Sequence, residues 1–158
     1  MSISSSIKEE ISLKKFKEKV INDFRTVSLS RETSVQGRRE VLLGKGKFGI
    51  FGDGKELPQV VMSHFFKDGD YRSGYYRDQT LLMSQNLLSA REIFSAVYGH
   101  PDKVYEKMSG GRQMAGHFLT NTIDENNNWI DQTKQKNHIS DISPTASQMS
   151  RLVGLGLA

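Results

Sequence analysis

The sequence predicts a mostly helical globular domain. Apolar residues recur at helical spacing in several separate stretches, glycine clusters and a Gly–Pro pair punctuate the chain between them, and 36% apolar with 25% charged residues describes a packed chain rather than a disordered one. At 158 residues the chain has the length of one domain, read here as residues 1–158, and is long enough to bury a core.

Composition excludes several function classes. The formal net charge of +4 allows mild attraction to phosphate-bearing ligands, but lysines alternate with acids and no basic stripe for nucleic acid is visible. The absence of cysteine rules out disulfides and thiolate metal sites and fits a cytoplasmic location. No apolar run approaches the roughly 20 residues of a membrane span, so no membrane partner is expected. Met1 to Glu10 lacks the apolar core of a secretory signal and reads as a Ser-rich lead-in.

The first helix is carried by Ile11, Phe16, Val20, Phe24 and Val27, and its charge run at residues 8–19 reads as a solvated face. Ser28 to Arg39 is polar, a loop or a frayed extension. Gly44, Gly46, Gly49, Gly52 and Gly54 make residues 44–54 a loop. Leu57, Val60, Val61 and Phe65 mark a second helix, with His64 packed in its apolar face. Leu81 to Tyr98 is a third helical stretch in which Ser89-Ala90-Arg91-Glu92, a capping-box pattern, predicts a kink or restart; Gly99 and Pro101 close it. Residues 119–141 are a long surface loop or weak hairpin. Ser143-Pro144 opens a last helix, with Ser as cap, Pro at the first helical position, and Met149, Leu152 and Val153 as its buried face. Its apolar pattern still runs at Leu157-Ala158, as in a cut through a longer protein.

Two glycine patterns are decoys. Gly44 to Gly49 satisfies G-x-G-x-x-G, but no helix opens directly after it. Gly49 to Lys55 satisfies G-x-x-x-x-G-K, but Glu56 stands where a phosphate loop needs Ser or Thr, and its carboxylate would repel phosphate. Gly52-Asp53-Gly54 reads as structural. No zinc spacing or Ser-His-Asp order occurs.

Three polar clusters remain. In Tyr75-Tyr76-Arg77-Asp78 the guanidinium suits a phosphate and the rings suit a heterocycle, or the group is a surface cluster in which Arg stacks on Tyr and pairs with Asp78. Gly111-Arg112-Gln113-Met114-Ala115-Gly116-His117 ends in an imidazole able to move a proton near neutral pH. Ser143-Pro144-Thr145-Ala146-Ser147-Gln148 reads as a helix start, where free N–H groups attract anions or simply receive a cap.

These clusters, in this order, resemble the alpha subunit of thiamine-diphosphate-dependent 2-oxo acid dehydrogenases, most nearly the branched-chain (2-oxoisovalerate) type. The resemblance runs from about Lys14 to Ala158. It implies an α/β, thiamine-diphosphate-binding fold whose N-terminal portion, seen here, is mostly helical. It implies oxidative decarboxylation of a 2-oxo acid, with a beta subunit (or fused beta half) and a lipoyl acyltransferase as partners in a multienzyme complex.

By the same resemblance, Tyr75, Tyr76, Arg77, Ser143, Pro144 and Thr145 bind the cofactor. Phe48, Tyr76, Met114, Ala115, Gly116, His117 and Ser143 face the substrate, with His117 catalytic. A potassium ion held in some members falls on Ile142, through its carbonyl, and on Pro144, Ser147 and Gln148. No residue of this chain is assigned to magnesium, whose ligands are expected outside it. A small helical interaction module with no cofactor is the rival reading.

Overall fold

The computed structural model describes residues 12–139 and 143–157, so that Ile11, Ile142 and the N-terminal lead-in lie outside the described residues. Helix α1 (Leu13–Leu42) is followed by α2 (Glu56–Ser63), β1 (Tyr71–Ser73), α3 (Gln79–Ser84), α4 (Ala90–Val97), a 3-10 turn at Gln132–Lys134, β2 (Asn137–Ile139) and α5 (Ser147–Leu157).

The polar stretch 28–39 is not a loop. It is the second half of α1, and it is the half that packs. Ser30, Thr33, Ser34 and Gly37 are buried, and their spacing lines up one helical face. That face is small and hydroxylic rather than apolar, which is why hydrophobic periodicity does not reveal it. Its partner is α3: the Gln79 amide donates to the Ser30 carbonyl at 3.1 Å and to the Ser34 hydroxyl at 2.9 Å, and the Ser30 and Thr80 hydroxyls lie 2.7 Å apart. Small side chains allow the helices to approach, and the hydroxyls of Ser30, Thr33, Ser34 and Thr80 each find a partner. The first half of α1 reverses the expectation, since Phe16, Val20 and Phe24 are exposed.

The apolar core lies farther along. Phe51, Met83, Ile93, Val97 and Ala115 form one cluster, with Val41, Leu88, Ala90 and Ala96 packed against it. Helix α3 is buried at five consecutive positions, Gln79 to Met83, because it is wedged between α1 and α2. The predicted restart at Ser89 is present. Gln85 to Leu88 break the helix, Asn86 takes a left-handed φ of 58°, and Ser89 and Glu92 cap α4 reciprocally, with bonds of 3.2 and 2.8 Å. His64 is not packed in an apolar face. It follows α2 and its Nε2 meets an Asp23 carboxylate oxygen at 2.9 Å.

Strands β1 and β2 run parallel, pairing Tyr71 with Asn137, Arg72 with His138 and Ser73 with Ile139. This pair gives the molecule its mixed α/β character. Sequence periodicity misses both strands because each is three residues long, and their innermost residues, Arg72, Asn137 and His138, are polar. The segment between them and α4 holds the weak hairpin, an antiparallel bridge from Ile123 to Trp129 around an Asp124 carboxylate that accepts from the Asn126 and Asn128 amides at 2.8 Å.

Helix α5 begins at Ser147, four residues after the expected cap. Ser143 to Ala146 form a turn instead, with Ala146 at φ 68°. Met149, Leu152 and Val153 are exposed rather than buried, and among the described residues nothing packs within 4 Å of a Cβ placed at Gly154 or Gly156.

Core and surface leucines should therefore behave differently on truncation. Leu81 is fully buried and Leu152 is 44% exposed. Urea unfolding of Leu81→Ala is expected to show a loss of about 2–5 kcal/mol, and of Leu152→Ala about 0.5 kcal/mol or less.

Candidate functional site

The turn carrying Tyr75 to Asp78 leaves β1 directly, and its geometry is set by Asp78. One Asp78 carboxylate oxygen accepts from the Tyr75 backbone N–H at 3.0 Å and forms an ion pair with the buried Arg72 of β1. Asp78 is thus engaged by Arg72, not by its neighbour Arg77. The Arg77 guanidinium sits 5.9 and 5.5 Å from the ring centres of Tyr75 and Tyr76, its Nε is buried with no hydrogen-bond partner, and it pairs with no carboxylate among the described residues.

The Arg77 backbone is fixed from two sides. Gln59 of α2 donates to the Arg77 carbonyl at 3.0 Å and accepts from Leu81 N–H at 3.1 Å. Gly52 lies so close that any Cβ there would collide with the same carbonyl oxygen.

Tyr75 and Tyr76 stack with ring centres 4.0 Å apart and hydroxyls 2.6 Å apart, and the Tyr75 hydroxyl lies 3.5 Å from the Thr145 hydroxyl. The Thr145 hydroxyl, then Tyr76, draw the Tyr75 phenol below its ordinary range, with the positive charges of Arg77 and Lys55 adding to the effect; sharing that bond pushes Tyr76 up.

The second cluster is shaped by Glu106. Its buried carboxylate accepts from the backbone N–H groups of Met108 at 3.1 Å, Ser109 at 2.7 Å and Gly111 at 2.9 Å, and from the Ser109 hydroxyl at 2.9 Å. Burial alone would raise this carboxyl, but the donors overcome that and hold it below the usual carboxylate range. The chain then enters the site through Gly116, at φ +97°, where an added Cβ would stand 2.6 Å from the Tyr76 carbonyl oxygen. His117 follows. Its Nδ1 lies 3.1 Å from the Met114 carbonyl, so the neutral ring carries its proton there, and Nε2 accepts from the Ser143 hydroxyl at 2.9 Å.

The three clusters therefore meet. Phe48, Ile50, Tyr76, Met114, Ala115 and Ser143 line one hollow of about 90 Å³, with Gly116 and His117 beside it and Tyr75, Arg77 and Thr145 adjoining. Phe48 is 45% exposed and belongs to this wall, not to the core. Pro144 contributes its carbonyl to the entry of α5, accepting from the Ser147 N–H at 3.2 Å and hydroxyl at 2.6 Å. Gln148 Oε1 is buried without a partner. No group of three metal-ligating side chains occurs among the described residues.

Sequence reasoning does not find four residues that build this site: Gln59, Arg72, Glu106 and His138. The strand partners Arg72 and His138 form a buried line. Arg72 Nε donates to His138 Nδ1 at 2.9 Å, and His138 Nε2 donates to Gln85 Oε1 at 2.8 Å. Burial first, then the charges of Arg72 and Lys136, press the His138 pKa down to about 3.

No known family profile matches the chain, and no solved structure does. Among curated proteins the chain is similar to the 2-oxoisovalerate dehydrogenase subunit alpha of Bacillus subtilis (strain 168), 28% identical over 145 residues, which are 89% of this chain. The chain spans 38% of the length of that relative.

A buried neutral histidine fixes a sign in the response to acid. The unfolded chain takes up a proton on His138 near pH 6.5 that the folded chain refuses until about pH 3. Stability is complete above pH 6.5 and falls as pH drops through that window. Urea titrations of the parent are expected to lose stability from about pH 6.5 downward, whereas His138→Phe is expected to start later, about pH 5, where carboxylates begin to protonate. Superimposable acid limbs for the two proteins would contradict this assignment.

Proposed function

We propose that this chain is part of the alpha component of a thiamine-diphosphate-dependent 2-oxo acid dehydrogenase, acting on a branched-chain 2-oxo acid such as 2-oxoisovalerate. One observation carries the reading. Clusters that begin 36 and 68 residues after Tyr75 converge on the Tyr75–Tyr76 pair, beside which Arg77 has no carboxylate partner among the described residues and a buried, unbonded Nε. The similarity to the Bacillus subtilis subunit supports the same reaction class.

The donor set fits a diphosphate. Arg77 presents a fixed positive charge and spare donors, and Tyr75 and Thr145 bring hydroxyls to the same place. Charge-assisted bonds of this kind are about twice as strong as neutral ones. Thiamine diphosphate, when bound, supplies the electron sink that decarboxylation of a 2-oxo acid requires. The chain's own residues do the rest. Arg77, Tyr75 and the Ser143-Pro144-Thr145 turn hold the cofactor. Phe48, Tyr76 and Met114 to Gly116 exclude water from the substrate side chain. His117 Nε2, already an acceptor from Ser143, takes or returns a proton at the substrate oxygen.

The remaining parts of the reaction are assigned elsewhere in this reading. Magnesium is ligated by residues outside the chain, a beta subunit or fused beta half completes the site in a cytoplasmic heterotetramer, and a lipoyl acyltransferase receives the acyl group. The orphaned Gln148 Oε1 supports a potassium site beside the turn, with the Pro144 and Ser147 oxygens as further ligands; its remaining ligand, Ile142, lies outside the described residues.

The rival, a helical interaction module with no cofactor, draws on the exposed apolar residues of α1. Titration with millimolar thiamine diphosphate, followed by amide shifts of residues 75–78 and 143–147, separates the two. Arg77→Ala is expected to weaken binding about tenfold or more, the value of a bond to a charged group. The module has no binding to lose. The chain alone, given thiamine diphosphate, magnesium and 2-oxoisovalerate, is expected to release no carbon dioxide; measurable release would overturn the assignment of magnesium and partner to other residues.

A further inference from the structure

We propose that His138 is a positioning residue for the Arg77 turn, acting through Arg72 and Asp78 to keep Asp78 away from Arg77. The inference rests on the reading of that turn as an anion-binding element.

Asp78 and Arg77 are adjacent in sequence, and a carboxylate beside a guanidinium would ordinarily neutralise it. Here Asp78 turns toward Arg72, and its shared oxygen also anchors the Tyr75 N–H at 3.0 Å. His138, its register partner on the neighbouring strand, holds one edge of Arg72. Arg72 Nε donates to His138 Nδ1 at 2.9 Å while Nη1 reaches Asp78. An arginine Nε–H is always a donor, so Nδ1 carries no proton, and the ring's single proton goes to Gln85 from Nε2. His138 is 1% exposed, and the rings of Phe66 and Phe118 flank it with centres 5.1 and 6.0 Å away, so the imidazole has no room to change its aim.

The residue type matters. A carboxylate at position 138 would satisfy the Arg72 charge and compete with Asp78 for it. A protonated imidazole would repel it. A neutral imidazole engages one edge of the guanidinium and leaves its charge to Asp78. An apolar residue would remove the acceptor that Arg72 Nε uses and so change the angle at which Nη1 meets Asp78.

Three variants test this: His138→Leu, His138→Asn, whose side-chain oxygen falls near the place of Nδ1, and His138→Gln, whose oxygen falls near Nε2 instead. Two quantities are read in the full chain, amide hydrogen exchange at Tyr75 and the dissociation constant for inorganic pyrophosphate. His138→Leu is expected to speed Tyr75 exchange and weaken pyrophosphate binding about tenfold each, the scale of a lost bond to a charged group. His138→Asn is expected to stay near the parent in both, and His138→Gln to follow His138→Leu. A packing role alone would not separate Asn from Gln or Leu. Unchanged Tyr75 exchange in His138→Leu, or Asn as impaired as Gln, overturns the proposal. Should the Leu variant not fold, the Asn–Gln pair decides. A parent that binds no pyrophosphate would refute the anion-site reading, while Tyr75 exchange would still judge the role of His138.

Discussion

The site depends on where one carboxylate points. Asp78 accepts the Tyr75 N–H and the Arg72 guanidinium with the same oxygen, which makes it the hub between β1 and the turn that follows. The consequence is electrostatic. Arg77 is left as a half-buried cation without a carboxylate partner among the described residues, beside two aromatic rings with centres 5.5 and 5.9 Å away. Contacts of that kind are worth about 1 kcal/mol when partly exposed, less than a buried charge loses on leaving water. Local rules of stability are therefore broken here, and such departures concentrate where a ligand restores the balance.

The scaffold around that turn is made of polar contacts to an unusual degree. Gln79 and Thr80 lock into the serines of α1, Gln59 joins α2 to both the Arg77 carbonyl and the Leu81 amide, and Glu106 gathers four donors beneath the Gly111 segment. Satisfied buried networks are directional where apolar packing is not, so each one fixes a register as well as a distance. Two of these locks place the Arg77 and Gly111 backbones, Gly52 and Gly116 permit the close approach that follows, and Ser143 and Thr145 join through His117 and Tyr75.

This explains what was legible in the sequence. Tyr75 to Asp78, Met114 to His117 and Ser143 to Thr145 stood out because side chains with a chemistry of their own lie next to one another, and the structure does bring them together. The α4 cap and the 44–54 loop were legible for the same reason, since both are set by local residues. The second half of α1 was not, because its buried face is Ser30, Thr33, Ser34 and Gly37. Nor were the strands, three residues each, or the start of α5, where Ser143 bonds His117 and does not cap a helix. Gln59, Arg72, Glu106 and His138 carry no local signature at all; their parts are defined only by what lies opposite them after folding. Arg77 shows the limit most clearly, since pairing with the adjacent Asp78 is one of the two readings its cluster allows and Asp78 pairs with Arg72 instead.

The histidine at the end of the second cluster follows the same logic of a fixed proton. The Met114 carbonyl can only accept, so it favours a proton on Nδ1 of His117, and the tautomer that carries it presents Nε2 as an acceptor to the Ser143 hydroxyl. In the proposed reaction this arrangement makes the last cluster more than a cofactor contact. Ser143 occupies the face of His117 that a substrate oxygen would use, so the hydroxyl either gives way to the substrate or relays the proton between them. The ring cannot reverse roles without losing its bond to Met114, two residues before the glycine that seats this segment against Tyr76. Proton position, substrate wall and aromatic pair are thereby tied to the same short stretch of backbone.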